Sequence, residues 1–196
     1  MTAIGPTLET DRLILRPPCA ADFEPWCAFM ADEEAARHIG GLQAPSVVWR
    51  ALCSVTGAWT ISGFSMFSVI EKATGDWVGR LGPWQPEGWP GTEVGWGIIR
   101  DRWGKGYATE GSIAATDWAF DNFDWHEVVH TIDPANAASA AVARRLGSTI
   151  LRQAQMPAPY EALTVDVWGQ SREDWPPVER RARSSRPRGS AWRRCG

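Results

Sequence analysis

The length and composition of the chain fit one ordinary globular domain with an appendage. Of 196 residues, 44% are hydrophobic and 22% are charged, which excludes a disordered or fibrous protein and leaves little room for two full domains. The formal net charge of -3 conceals a basic end, because residues 176–196 hold seven arginines and one glutamate. The acidic remainder is suited to cationic partners such as amines, and it argues against a nucleic-acid-binding core.

Cysteine usage and hydropathy indicate the compartment. The four cysteines form no C-x-x-C pair, and the N-terminus lacks the cationic and apolar pattern of a secretory leader. The apolar runs are too short to span a bilayer. We therefore expect a cytoplasmic protein with free thiols and no membrane segment.

The first half of the chain predicts a strand, two helices and a hairpin. An apolar run over residues 12–16, closed by two prolines, predicts the strand. Apolar side chains at three- and four-residue spacings predict amphipathic helices over about 23–30 and 45–59. The β-rich runs 64–71 and 77–81, separated by turn-forming residues, predict the hairpin.

The second half predicts two helices and four strands, after a breaker-rich surface loop over residues 83–91. The helices are expected over about 106–120 and 137–146, and Gly147 follows the second one as a stop signal. Strands and helices without an internal repeat predict a single α/β (α+β) layer structure. The strands are expected over residues 93–99, 128–132, 149–153 and 163–168.

The most informative stretch runs from a predicted strand through a glycine turn into a helix. Gly104 and Gly106 let backbone N–H groups approach an anion, and the helix adds its positive end, which suits a pyrophosphate. A P-loop is excluded, because Ile99 occupies the place of its first glycine and Lys105 is not followed by Ser or Thr. The dinucleotide fingerprint fits poorly, because Thr109 occupies the place of its last glycine.

The sequence Trp103-Gly104-Lys105-Gly106-Tyr107-Ala108 resembles the pyrophosphate loop of the GNAT superfamily of acetyl-CoA-dependent N-acetyltransferases, departing from it only at the first position. The sequence W-G-K-G-Y-A-T-E resembles the same loop in the branch that includes the ribosomal-protein serine and alanine N-terminal acetyltransferases. In that branch a large residue often occupies the first position. Residues 8–17, Asn136-x-x-Ser139 and Trp168-Gly169 also resemble that branch.

The resemblance implies an acyl-CoA N-acyltransferase fold. This fold has a mixed, mostly antiparallel central sheet flanked by helices, with two parallel central strands that splay apart. Acetyl-CoA would enter between the strand ending near Ile99 and the strand ending near Ile132. The N-acetyltransferase domain is expected over residues 8–175, and 176–196 are expected to be a flexible basic tail. A homodimer is an arrangement that the sequence leaves open.

The resemblance also implies which residues hold acetyl-CoA. Ile98 and Ile99 would offer backbone groups to the pantetheine arm, and Arg102 and Lys105 would contact outer phosphate oxygens. Asn136 would hydrogen-bond the arm near the thioester, although a helix N-cap explains an asparagine there equally well. The pyrophosphate would be held by the main-chain N–H groups of Gly104, Lys105, Gly106, Tyr107, Ala108 and Thr109.

Acetyl transfer needs a neutral amine, an N–H donor for the oxyanion and a proton for the departing thiolate. Glu93, at the start of the central strand, is the candidate base, although a surface carboxylate or an ion-pair partner is an equally good interpretation. Many relatives place a tyrosine acid seven residues after the asparagine, where this chain has Ala143. Solvent, Ser139 or another group that the sequence does not identify would then protonate the thiolate.

The predicted function is therefore acetyl transfer from acetyl-CoA to a primary amine, either a protein N-terminus or a small molecule. The missing tyrosine motivates an alternative, a catalytically weak acyl-CoA-binding module that acts as a sensor or interaction partner. The sequence does not identify the acceptor.

One motif points elsewhere, because residues 126–130 read H-E-x-x-H, the zinc-protease signature. That motif binds zinc on a helix, where both histidines share a face. The β-branched residues here favour a strand instead. On a strand the two histidines would lie roughly 13 Å apart, at about 3.3 Å per residue, which is too far for one ion. We therefore expect no metal site.

Overall fold

The computed structural model describes residues 4–176, so the predicted basic tail lies outside the described residues apart from Pro176. The strands are β1 (Leu8–Glu9), β2 (Leu13–Arg16), β3 (Phe67–Glu71), β4 (Trp77–Trp84), β5 (Glu93–Ile98), β6 (Glu127–Ile132), β7 (Thr149–Gln155) and β8 (Thr164–Ser171). The α-helices are α1 (Phe23–Met30), α2 (Glu33–Ala36), α3 (Pro45–Ser62), α4 (Tyr107–Asn122) and α5 (Ala137–Leu146). Within residues 4–176, no helix combines the length and apolarity that a membrane crossing requires.

The strands form one sheet in the order β1-β2-β3-β4-β5-β6-β8-β7. Neighbouring strands are antiparallel except for β5 and β6, which run parallel. The predicted mixed, mostly antiparallel sheet flanked by helices is thus confirmed. β5 and β6 pair only at Glu93 and Val129, so the two parallel strands separate toward their C-terminal ends.

Helices cover the sheet through two large apolar clusters. The first packs α4 against β4 and β5 and includes Leu81, Val94 and Ala115. The second packs α1 and α3 together and includes Trp26 and Met66. Because successive side chains of a strand point to opposite faces, neighbouring β4 residues contact different clusters. The central strands are therefore enclosed on both faces.

β4 extends further than the sequence predicts, because Pro83 and Trp84 still pair with β5. The predicted loop over 83–91 is therefore wrong for these two residues. β3 begins at Phe67, opposite Leu81, so Pro83 lies beyond the end of β3. Proline has no N–H to donate, but no β3 residue lies opposite Pro83 to accept a hydrogen bond, so none is lost. β1 and α2 were not predicted, since two to four residues are too few to show a periodic pattern.

Candidate active site

The parallel ladder between β5 and β6 stops after one residue pair, Glu93 with Val129. In a continued ladder, the Thr131 N–H would donate to the Val94 carbonyl. The Thr131 N–H donates instead to Oε1 of Glu93 at 3.0 Å. The Val94 carbonyl accepts from Nδ1 of His130 at 2.7 Å. Two side chains therefore satisfy the two backbone groups at the point where the strands part.

Glu93 is a buried carboxyl at the closed end of this gap, with an exposed fraction of 5%. The Thr131 hydroxyl lies 2.9 and 3.0 Å from its two oxygens and donates to one of them, and the Trp89 indole N–H donates to Oε2. Burial raises the pKa of Glu93 above its ordinary value, although these hydrogen bonds oppose the rise. The interpretation of Glu93 as a surface carboxylate is wrong, and a carboxyl with a raised pKa is suited to proton transfer.

His130 is the second side chain that bridges the parting strands, and it is buried. Its Nδ1–H donates to β5, while its Nε2 accepts from the Ser148 hydroxyl at 3.2 Å. Burial lowers the pKa of His130 to about 4, so the imidazole is neutral at neutral pH. The strand predicted for the H-E-x-x-H motif is confirmed. Over residues 4–176, no cluster of His, Cys, Asp or Glu side chains could hold a metal ion.

Backbone groups of β5 line the gap beyond its closed end. Main-chain groups alternate between the two neighbouring strands, so those of Trp96 and Ile98 face β6. The Ile98 carbonyl accepts from the Trp103 indole at 2.7 Å, and the Ile99 N–H donates back to β4 at 3.0 Å. Trp96, which the sequence analysis missed, therefore faces the gap together with Ile98, whereas the N–H of Ile99 is hydrogen-bonded to β4. Contacts between these backbone groups and a pantetheine arm stay a prediction.

The glycine turn leads into the N-terminus of α4. Gly104 and Gly106 adopt φ angles of 74° and 81°, in the left-handed region that glycine enters without a steric penalty. A Cβ at Gly104 would meet no heavy atom within 4 Å, so the space beside the turn is open at this residue. The first N–H groups of this 16-residue helix have no intrahelical partner. The predicted turn and helix are confirmed, with the helix beginning at Tyr107.

A segment from the other end of the chain holds this turn. Nη1 of Arg12 donates to the Lys105 carbonyl at 2.8 Å, and Nε of Arg12 donates to Oε2 of Glu110 at 2.7 Å. The Thr10 hydroxyl donates to Oε1 of Glu110 at 2.6 Å. The glycine turn and the first turn of α4 are therefore both attached to the residues that precede β2.

The side chains of Tyr107 and Arg102 both bind Glu71. The Tyr107 hydroxyl donates to Oε1 of Glu71, and Nε of Arg102 donates to Oε2 at 3.0 Å. These hydrogen bonds, that from Tyr107 first, lower the pKa of Glu71 to about 2. Tyr107 thus offers only its main chain to a phosphate. A phosphate contact by Arg102 stays a prediction, and it would compete with this ion pair.

Asn136 and Ser139 lie at the start of α5. Oδ1 of Asn136 accepts from the Ser139 N–H at 3.0 Å, which confirms the N-cap, and its pantetheine contact stays a prediction. The Trp96 indole donates to Oγ of Ser139 at 3.2 Å. Side chains alternate along β5, so Trp96 and Glu93 point to opposite faces. Ser139 and Glu93 therefore lie on opposite sides of the gap. Ala143, in the place of the family's tyrosine, is buried.

Comparison with known proteins agrees with this architecture. Residues 12–149 match the family model of the acetyltransferase (GNAT) domain. This match covers more than half of the chain, and the chain therefore belongs to the GNAT family of acetyltransferases.

Three relatives illustrate the range of similarity. The structure of an acetyltransferase from Agrobacterium tumefaciens str. C58 is similar at a TM-score of 0.75, with 32% sequence identity over 84% of this chain and 94% of that one. YkkB of Bacillus subtilis (strain 168) is 36% identical over 87 residues, 43% of this chain and 51% of YkkB. The chain thus matches about half the length of that relative. A ribosomal-protein-S5-alanine acetyltransferase from Vibrio fischeri shares the fold, with a TM-score of 0.67 and 17% identity over 88% of this chain and 100% of that one.

Proposed function

We propose that this protein transfers the acetyl group of acetyl-CoA to a primary amine, on a small molecule or a peptide N-terminus, by direct attack. One observation carries the proposal. The gap between β5 and β6 opens beside the N-terminus of α4 and closes on the buried carboxyl of Glu93. A slot of this shape suits a long acyl carrier with a phosphorylated end.

The residues that would hold acetyl-CoA fit its chemistry. The open glycine turn and the N–H groups at the start of α4 suit the pyrophosphate, and the exposed Lys105 lies beside them. The backbone of Trp96 and Ile98 would line the pantetheine arm, with Asn136 across the gap. Acetyl-CoA supplies the activated acetyl group. The main-chain N–H groups held by the turn are those of Gly104, Lys105, Gly106, Tyr107, Ala108 and Thr109.

Glu93 would act as the general base on one face of the gap. An alkyl amine with a pKa of about 10.4 is mostly charged at neutral pH, so it must lose a proton before it attacks. Thr131 and Trp89 fix the carboxyl by hydrogen bonds, which leaves its position unchanged as it gains the proton. The gap-facing N–H of Trp96 is the candidate oxyanion donor. Ser139 lies on the opposite face, where its hydroxyl would pass a proton to the departing thiolate as it takes one from water.

A thiol-release assay over a broad panel of amines tests the proposal. Acetyl-CoA binding is measured in parallel by calorimetry on the same protein. We expect binding of acetyl-CoA and thiol release that depends on at least one amine. Binding without turnover would favour an acyl-CoA-binding sensor, for which the buried Ala143 is the supporting observation. Absence of binding would contradict both functions.

A cytoplasmic location is part of the proposal. Cys19, Cys27 and Cys53 are unpaired thiols, which fits a reducing compartment. A homodimer stays a prediction.

A further inference from the structure

Arg80 is a cation on the same face of the sheet as the proposed base. In the β4–β5 ladder, Arg80 lies opposite Gly97 and Trp84 lies opposite Glu93. Directly opposed residues share a face, and so do residues an even number of positions apart on one strand. The side chains of Arg80 and Glu93 therefore project to the same side. Glu93 and Gly97, the residue opposite Arg80, are about 13 Å apart along β5, at about 3.3 Å per residue. The long side chains of Arg80 and Glu93 extend into the space between these two positions.

The guanidinium of Arg80 lacks the acceptor that its geometry suits. It lies over the Trp26 ring at 5.4 Å, and Nη1 contacts Sδ of Met66 at 2.6 Å. Nε is buried without a hydrogen-bond partner, and across residues 4–176 no carboxylate approaches Arg80 within 4.0 Å. A thioether is a weak acceptor, whereas the planar guanidinium fork matches a carboxylate.

Flexible and side-chain-free residues separate the guanidinium from Glu93. A Cβ at Gly95 would lie 3.1 Å from Cε of Met66 and 3.4 Å from Oε1 of Glu93. Met66 therefore fills the space between the guanidinium of Arg80 and the carboxyl of Glu93. Beneath it, Gly95 contributes no side chain. An unbranched methionine changes rotamer readily, and a small ligand between the two groups requires that Met66 move aside.

Two groups act electrostatically on Arg80. Burial lowers the pKa of Arg80, and the carboxyl of Glu93 and then the phenol of Tyr160 oppose this shift. Tyr160 lies on the loop between β7 and β8 and is 41% exposed. Arg80 itself is only partly buried, which gives a ligand access to its side chain.

We propose that Arg80 binds a carboxylate on the acceptor and so directs the acceptor amine to Glu93. This inference rests on the proposed acetyl transfer and names its substrate class, the small amino carboxylates of which free amino acids are the simplest. Such an acceptor places a negative group on the guanidinium and a positive group on the base. An amine without a carboxylate leaves the buried Nε of Arg80 without an acceptor, which is costly.

Matched acceptor pairs test this specificity. Each pair is an amino acid and the amine that differs only by loss of its carboxylate, such as leucine and isopentylamine. For the wild type, kcat/KM should favour the amino acid by at least about tenfold, because an analogue that leaves a buried polar group unpaired is rejected strongly. In Arg80→Met the ratio of the two kcat/KM values should fall to about one, because kcat/KM for the amino acid falls. Acetyl-CoA affinity should stay within about twofold of the wild type.

Two further variants control for folding and for charge. Arg80→Lys keeps a cation and loses the planar fork, so its ratio should be intermediate. Arg37→Met removes an exposed cation that pairs with Glu34 on the surface, and it should leave the ratio unchanged. Melting curves identify any variant that fails to fold. If Arg80→Met does not fold, the acceptor ratio of Arg80→Lys is compared with that of the wild type instead.

Binding of the N-acetyl amino acid, measured by calorimetry, tests the anion site without turnover. Arg80-dependent binding in a protein that acetylates nothing would retain the carboxylate site and overturn the proposed function. Equal rates within each acceptor pair, or a preference that persists in Arg80→Met, would overturn the carboxylate site and retain acetyl transfer. Absence of both turnover and product binding would overturn both.

Discussion

Arg12 donates from Nη1 to the carbonyl of Lys105 at 2.8 Å, although 93 residues separate them in sequence. The same guanidinium forms an ion pair with Glu110 at 2.5 Å. Lys105 lies within the glycine turn and Glu110 lies in the first turn of α4. The conformation of the proposed pyrophosphate site therefore depends on the segment before β2 as well as on its own glycines.

Replacing Arg12 should weaken acetyl-CoA use more than it slows chemistry. In Arg12→Gln the turn loses its attachment, so its N–H groups are less well oriented before the ligand binds. We expect KM for acetyl-CoA to rise about tenfold, with kcat changed much less. Steady-state kinetics at a fixed saturating amine measure both constants. Arg37→Gln, which removes an exposed surface pair, is the matched control. A lower kcat at unchanged KM would contradict the prediction.

Substitution of Gly106 tests the turn itself. A valine at this left-handed position strains the backbone, and its Cβ would lie 3.5 Å from Nη2 of Arg12, the residue that holds the turn. Acetyl-CoA at 100 times its dissociation constant stabilises a native protein by about 2.7 kcal/mol. This increment should nearly vanish in Gly106→Val, as measured by melting curves with and without acetyl-CoA.

Gly63→Val separates loss of binding from backbone strain. Gly63 has a φ of 77°, close to the 81° of Gly106, and its Cβ would meet only Phe123, at 3.8 Å. Phe123 follows α4 at the end opposite the turn, about 24 Å away for a 16-residue helix. This variant should lose intrinsic stability and keep the full ligand-induced shift. An undiminished shift in Gly106→Val would remove the main support for the pyrophosphate assignment.

The sequence predicts elements well where their ends are encoded locally. α5 has the predicted bounds 137–146, because Asn136 caps its first turn and Gly147 follows its last. The turn at Gly104 and Gly106 is equally local, since residue type alone permits its backbone angles.

Contacts between distant residues are not encoded in this way. The resemblance implies a phosphate contact for Arg102, and this contact stays a prediction. The ion pair of its guanidinium with Glu71, 31 residues away, could not be predicted from the sequence. Glu93 could be selected by residue type and strand position, but its burial depends on the path of the loop that carries Trp89. The sequence marks Arg80 only as one charged residue inside an apolar strand. That its Nε has no hydrogen-bond partner can be seen only in the structure.

The buried His130 should make stability sensitive to mild acid. Its pKa is about 4 in the folded protein and about 6.5 in an unfolded chain. As the pH falls below 6.5, the unfolded state gains a proton that the folded state does not, so stability is lost until the pH reaches about 4. The expected loss is about 3 kcal/mol.

His130→Asn should remove this acid sensitivity while keeping an N–H donor for the Val94 carbonyl. Urea unfolding at pH 7 and pH 4 measures the free energy of unfolding of both proteins. The wild type should lose about 3 kcal/mol more than the variant. Equal losses in the two proteins would show that His130 does not titrate in this range.

Glu93→Gln tests the proposed base through the pH dependence of turnover. Glutamine keeps the size of the side chain and an oxygen for the Thr131 N–H, but it cannot take a proton from the amine. At low pH the amine is charged and needs a base, whereas at high pH more of it is already neutral. We therefore expect the variant to lose more turnover just above the acid limb of the wild type, where Glu93 is ionised and the amine is charged, than at high pH.

Thr131→Val provides the matched comparison, because it removes the hydroxyl that binds the carboxyl at 2.9 Å and keeps the backbone N–H. A hydrogen bond to the ionised form lowers the pKa of a carboxyl, so its loss should raise the pKa of Glu93 further. The base must be ionised to act, and the acid limb of kcat/KM should therefore move to higher pH in Thr131→Val, with the plateau rate largely kept. Rate profiles of the wild type and both variants over one pH series decide the matter. A loss in Glu93→Gln that is equal at every pH, together with an unmoved acid limb in Thr131→Val, would assign Glu93 to holding the parted strands alone.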